Sequence, residues 1–305
     1  MTLLVRRVGG EDIARAFAQA DMGYLIFATL ICTAINFSLD AYSLSRAISW
    51  FNAPMPFTRL VPVKASAYLV GILNYNVASG GIALWIARRC RVPFLEAVST
   101  MLFVNAVDAL ILVGLMAAGI PVLREPVATA VLTIAAVAVP GFVAQYAFWR
   151  YGEHLPVLGR VWGWPIFASF RRARLSVYFK LGAMRTAFLL VFIANYWFAV
   201  RAFHLEIPVL QIIAAVPVIS FVGIVPITVM GLGTVQTATI YLFQEYASEA
   251  SLMALSLTVT AVMTTLRALL GLPFFATVSG ELLQRDAAPD PASDPASDPP
   301  RPSAP

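Results

Sequence analysis

The feature that most constrains this chain is a succession of apolar runs, each close to the length that crosses a bilayer. A hydrocarbon core about 30 Å thick takes roughly 20 helical residues. Runs of that order, bounded by charge, proline or glycine, occupy residues 22–40, 64–87, 97–119, 126–149, 177–200, 208–229, 232–246 and 251–277, the seventh being short. Sixty per cent of the chain is hydrophobic and only 12% charged, with a mean hydropathy of +0.80. That much apolar surface cannot be enclosed in one soluble core, so lipid must solvate part of it. Soluble enzyme folds are excluded. In lipid every backbone polar group must be paired within its segment, so the expected fold is all-α: a polytopic transmembrane helical bundle of about eight spans.

Three regions follow. Residues 1–21 form a cytoplasmic leader in which Ile13, Phe17 and Met22 fall near one face of an interfacial helix. Residues 22–280 form the transmembrane domain. Residues 286–305 repeat Asp-Pro-Ala-Ser with no apolar face and are expected to be disordered. The first span follows a polar leader and has no small-residue cleavage pattern, so it reads as retained and not as a signal peptide. With eight crossings, Arg6, Arg7, Arg15, Arg88, Arg89, Arg91, Arg150, Arg160, Arg171, Arg172, Arg174, Lys180, Arg285 and Arg301 share one side, against Arg46, Arg59, Lys64, Arg124 and Arg201 on the other. The positive-inside rule then places both termini in the cytoplasm.

Two breaks interrupt the spans at corresponding places. Residues 70–81, VGILNYNVASGG, align with 222–233, VGIVPITVMGLG, at an offset of 152. Asn74, Asn76, Ser79, Gly80 and Gly81 interrupt the first, and Pro226, Thr228, Gly231 and Gly233 the second, with Gln236 just beyond. Unwound backbone at membrane depth persists only inside protein or along a watery cavity. Paired breaks related by an internal repeat therefore point to two interrupted or re-entrant segments and a transport site between them. Glycine used for close helix packing is the plainer alternative. Residues 74–81 and 226–236 are expected to approach one another near the centre of the bundle and line one cavity.

Two charges lie within later spans, Asp108 and Arg267. Each is costly alone in lipid and needs a partner, which predicts an Asp108–Arg267 pair, either a structural clamp or part of a headgroup pathway, with Asn105 or Arg185 as alternative partners for the carboxylate. Arg185 is expected to snorkel to the surface. Asn36, Asn105, Asn195 and Gln236 complete the intramembrane polar set as interhelical hydrogen-bond candidates. The stretch 149–176 mixes tryptophans with arginines and reads as an interfacial anchor, with recruitment of acidic headgroups as the functional alternative.

Other chemistry finds little support. Cys32 and Cys90 make no disulfide framework, and His154 and His204 no histidine-rich metal site. The chain has no GxSxG, HExxH, CxxC or phosphate-cradling loop. No catalytic residue, metal or cofactor is expected, and the net charge of +5 is spread as topology signals and not as a nucleic-acid footprint.

The pattern NYNVASGGIALWIARRCRVPFLEAVS followed by an Asp-bearing span, then VPITVMGLGTVQTATIYLF and a last span with one arginine, resembles the lysylphosphatidylglycerol synthase transmembrane-region family of flippase-like membrane proteins. The resemblance covers roughly residues 15–280 and is most specific at Pro226, Gly231 and Gly233. The family commonly has Glu where this chain has Gln236, and usually proline where the first break reads Asn74 to Ala78. It implies movement of a polar-headed membrane lipid between leaflets of a bacterial inner membrane: an anionic phospholipid, an aminoacylated one, or a polyprenyl- or hopanoid-type lipid. The site would be built from Asn74, Asn76, Ser79, Asp108, Pro226, Gly231, Gly233, Gln236 and Arg267. Aminoacyl transfer is not expected without the soluble synthase domain. A non-catalytic accessory subunit of a partner lipid-modifying enzyme is the rival reading.

Overall fold

The computed structural model describes residues 10–152, 162–224 and 233–284. Among these the chain is helical, without strands. Helix α1 (Gly10–Gln19) packs Ile13 and Ala16 against the bundle. Asp21 then starts α2 (Met22–Phe51), its carboxylate accepting from the Tyr24 amide at 2.9 Å. A carboxylate there satisfies an otherwise unpaired N–H at the positive helix end.

Helix α2 is far longer than the apolar run that announced it. Thirty residues span about 45 Å, and the helix continues eleven residues past Asp40, which the run 22–40 placed at its edge. Next come α3 (Phe57–Leu73) and α4 (Tyr75–Cys90). Asn74 ends one and begins the other: its extended backbone breaks the helix, and its side-chain oxygen accepts from the amides of Asn76 and Val77 at 2.9 and 3.2 Å. The bundle is completed by α5 (Phe94–Gly119), α6 (Glu125–Tyr151), the short α7 (Ala168–Arg172), α8 (Leu175–Ala202), α9 (Val209–Ile224), α10 (Thr234–Phe243) and α11 (Glu249–Gln284).

Two apolar layers stack along the bundle. One holds Leu25, Met116, Val131, Ala199, Ile212, Phe243 and Leu252; the other holds Ile48, Leu60, Ile86, Met101, Trp149, Leu181 and Val278. The layer each helix terminus enters fixes its direction. Helix α2 starts in the first layer and ends in the second, α5 and α8 run the opposite way, and α6 and α11 run with α2. These five are the described helices long and apolar enough to cross a membrane.

The other apolar segments turn back. Leu60 and Val63 at the start of α3 share the second layer with Ile82 to Ala87 at the end of α4. Ile212 near the start of α9 shares the first with Ile240, Leu242 and Phe243 of α10. Helices α3 and α4, and likewise α9 and α10, are therefore the arms of two helical hairpins entering from opposite ends, the re-entrant form of the two interrupted segments. Helix α1 lies at one end of the bundle and the close of α11, at Val278, at the other.

The repeat extends well beyond the short match that revealed it. Adding 152 to the bounds of α2, α3 and α4 gives 174–203, 209–225 and 227–242, against Leu175–Ala202, Val209–Ile224 and Thr234–Phe243. Each half is one long helix, one hairpin and one long helix, and the halves run in opposite directions. The packing keeps this symmetry: α2 pairs with α8, α3 with α11 as α9 with α5, and α4 with α5 as α10 with α11. Gly271 lets α11 meet α3 closely, since a Cβ there would lie 2.6 Å from the Ala65 carbonyl and 2.7 Å from the Leu69 Cβ.

At the end where α2 finishes, Thr100 hydrogen-bonds Asn52 at 2.7 Å and Ser169 at 3.1 Å. Arg172 donates to the Phe51 carbonyl at 3.1 Å and pairs with Glu96 at 2.9 Å. Arg171 donates to the carbonyls of Trp162 and Trp164. The stretch expected as an anchor is thus clamped onto the bundle by arginines that protein groups engage; its residues 153–161, with His154, lie outside the described residues, as does the 286–305 tail.

Candidate functional site

Between the two apolar layers, at mid-length of three packed helices, lies a layer of charge. On α2 Asp40 falls between Leu25 and Leu44, on α5 Asp108 between Val107 and Leu112, and on α8 Arg185 between Leu181 and Ile193. Arg185 joins them. Its Nη1 donates to Asp40 Oδ1 at 2.7 Å and to Ser43 Oγ at 3.1 Å, its Nη2 to Asp108 Oδ2 at 2.6 Å, and its Nε to Asp108 Oδ1. The planar guanidinium matches a carboxylate edge with two parallel donors, so the contact to Asp108 is bidentate. Arg185 and Asp40 are nearly enclosed, with side chains 7% and 9% exposed, whereas Asp108 is 30% exposed.

Helix α3 brings a second cation. Lys64 Nζ lies 3.0 Å from Asp40 Oδ2, and Tyr68 donates its hydroxyl to the same oxygen at 2.7 Å. Arg267 of α11 lies over the Tyr68 ring, 5.5 Å from its centre. The group holds two carboxylates and three cations, Lys64, Arg185 and Arg267. A buried ion pair offsets its desolvation only when the fork and lone pairs are satisfied, which Asp40 achieves by accepting from three side chains.

This arrangement corrects the expected Asp108–Arg267 pair. Asp108 pairs with Arg185, and Arg267 touches the cluster through the Tyr68 ring. Arg185 does not snorkel. The reason lies in helix length: Lys64 counted as a loop charge and Asp40 stood at the edge of its run because the apolar runs stop at 40 and start at 64, whereas both sit within helices. A signal for Asp40 was present in the sequence. Thr29, Thr33, Asn36, Asp40 and Ser43 recur at spacings of 4, 3, 4 and 3, one helical face in an otherwise apolar run.

The first break lies beside the cluster. Tyr75, just past the Asn74 cap, donates to Asn105 Oδ1 at 2.9 Å, and Asn105 is one turn from Asp108 on α5. Asn74, Tyr75, Asn76 and Val77 are exposed and Ser79 half-buried, so the hairpin tip stands at the more open, Asp108 side. In the second break Pro226 and Gly231 lie outside the described residues. Gly233 has φ +100, a region that favours glycine, and its amide donates to Gln236 Oε1 at 2.6 Å. Gln236 thereby caps α10, and a carboxylate oxygen would accept that bond equally well. Gln236 is buried while Asn74 is exposed. Of the second break only Gly233 to Gln236 are described, and what the structure gathers from the expected set is Asp108, Arg267 and the Asn74 tip.

No curated protein matches the chain. The family described as Lysylphosphatidylglycerol synthase TM region matches residues 1–271. That span takes in both hairpins, the whole charge cluster and Gly271, so this integral membrane protein belongs to the lysylphosphatidylglycerol synthase transmembrane-region family.

Proposed function

We propose that this protein is a bacterial inner-membrane transporter, and not an enzyme, that moves a polar-headed lipid between leaflets with the charge cluster as its headgroup site. The observation that carries this reading is a surplus cation at mid-membrane depth, set between hairpins that enter from opposite ends. Charges there are strongly disfavoured unless they serve a pathway or a pair, and Arg267 has no carboxylate partner among the described residues. A phosphate-bearing headgroup would balance the surplus and reach it past Asp108. Membership of a lipid-related membrane family and the inverted repeat, an architecture that suits alternating access, support the same reading.

The positive-inside rule gives the orientation. Among described residues Arg46, Arg59, Arg88, Arg89, Arg91, Arg150, Arg171, Arg172, Arg174 and Lys180 cluster toward one end, against Arg15, Arg124 and Arg201 toward the other. The richer end faces the cytoplasm. The test is reconstitution in vesicles containing fluorescently labelled phosphatidylglycerol, with an impermeant quencher added outside. Quenching beyond the outer-leaflet fraction, at a rate set by protein density, is expected. Folded protein that leaves the inner leaflet protected as in protein-free vesicles overturns the proposal.

A further inference from the structure

The inverted repeat pairs every position in the α2 half with one 152 residues later. It pairs Arg185 with Thr33, and Ser43 with Asn195. Ser43 Oγ accepts from Arg185 at 3.1 Å across the α2–α8 interface. The same symmetry sets Asn195 against Thr33 across that interface. The antiparallel register agrees, because the Asp21 amide donates to the Ala202 carbonyl at 2.9 Å and Arg185 meets Asp40. The charge cluster therefore has a counterpart, displaced along the bundle toward the α1 end.

This counterpart carries no charge. Thr29, Thr33 and Asn36 of α2 and Asn195 of α8 are buried, at 0%, 6%, 6% and 1% exposure. The hydroxyls of Thr29 and Thr33, Asn36 Oδ1, and both Asn195 Oδ1 and Nδ2 have no hydrogen-bonding partner among the described residues. Other helical threonines show that this is not a default: Thr133, Thr239 and Thr258 each bond the carbonyl four residues back. Tyr196, beside Asn195, joins Thr239 of α10 at 2.9 Å, and Gln236, one turn along α10, has a buried and unpartnered Nε2.

Orphaned polar groups at this density cost about 1–3 kcal/mol each, so a protein retains them where something else meets them. The set offers donors and acceptors in comparable number and no formal charge. A cation would use only the oxygen lone pairs and an anion only the N–H and O–H donors, whereas a hydroxyl uses both donors and acceptors. We propose that Thr29, Thr33, Asn36 and Asn195 form a second, neutral headgroup subsite that takes the hydroxyl-bearing portion of a lipid head as it moves between the charge cluster and the α1 end. The assignment to a lipid head rests on the transport reading; the hydrophilic subsite does not.

Two measurements separate these. With Cys32 and Cys90 replaced by alanine, Thr33→Cys and Asn195→Cys are exposed to 2-hydroxyethyl methanethiosulfonate in vesicles, beside Leu44→Cys, which is equally buried in an apolar layer. Reaction at least about tenfold faster at 33 and 195 than at 44 is expected, a preference equivalent to about 1.4 kcal/mol. Equal rates overturn the subsite whether or not the protein moves lipid. In the transport assay, Thr33→Val and Asn195→Leu should slow phosphatidylglycerol, whose head bears two hydroxyls, more than phosphatidic acid, whose head bears no such group. An equal loss for both lipids, or no loss, overturns the assignment to headgroup hydroxyls. If the wild type moves neither lipid while the labelling contrast holds, the transport reading fails and the hydrophilic subsite stands.

Discussion

Arg185 uses all three of its guanidinium nitrogens on two aspartates from different helices, so its removal strands Asp108 in a partly desolvated site and leaves Asp40 to Lys64 and Tyr68 alone. Arg185→Ala should lower stability by about 3–5 kcal/mol, read as thermal or denaturant unfolding in detergent. Arg267→Ala removes one cation–π contact and should lower it by about 1 kcal/mol or less. A double-mutant cycle between Asp108 and Arg185 should couple by more than about 1 kcal/mol, and one between Asp108 and Arg267 should be additive to within about 0.5 kcal/mol. Coupling of Asp108 to Arg267 as strong as to Arg185 would contradict the geometry.

At the scale of elements, two close features are exposed to single substitutions. Gly271 sits where α3 and α11 meet, so Gly271→Leu should force the helices apart and destabilise by about 1–3 kcal/mol; unchanged unfolding would contradict the contact. Asn74 serves two helix ends, and Asn74→Ala should lower stability by about 1 kcal/mol, whereas Asn74→Asp, which keeps the accepting oxygen, should lower it less. The breaks were legible because Asn74 and the Gly231–Gly233 pair interrupt long apolar runs, and the repeat because its offset survives in sequence. Whether the interrupted segments cross or return stayed open, since an apolar run of about 20 residues reads alike whether it crosses or folds back on itself. The second carboxylate on Arg185 was hidden for a related reason. Asp40 stands where the hydropathy of 22–40 ends, yet packing against α8 carries the helix to Phe51, and burial is decided by that packing and not by the local run.

For the whole molecule, five described helices long enough to cross and two inverted hairpins imply five passes, which makes the topology testable apart from any function. In a cysteine-free background, Arg15→Cys should react with an impermeant thiol reagent from outside intact cells, while Arg174→Cys should react only after permeabilisation. Labelling of both from one side would contradict the odd number of passes. The account as a whole turns on the surplus cation at mid-depth being there for an anionic headgroup. The most direct test is the transport rate of Arg267→Gln, which strands no carboxylate and should unfold within about 5 °C of the wild type. The account predicts that this variant moves phosphatidylglycerol at least about tenfold more slowly, a loss of about 1.4 kcal/mol in barrier lowering. A folded variant that moves it at the wild-type rate would contradict the account.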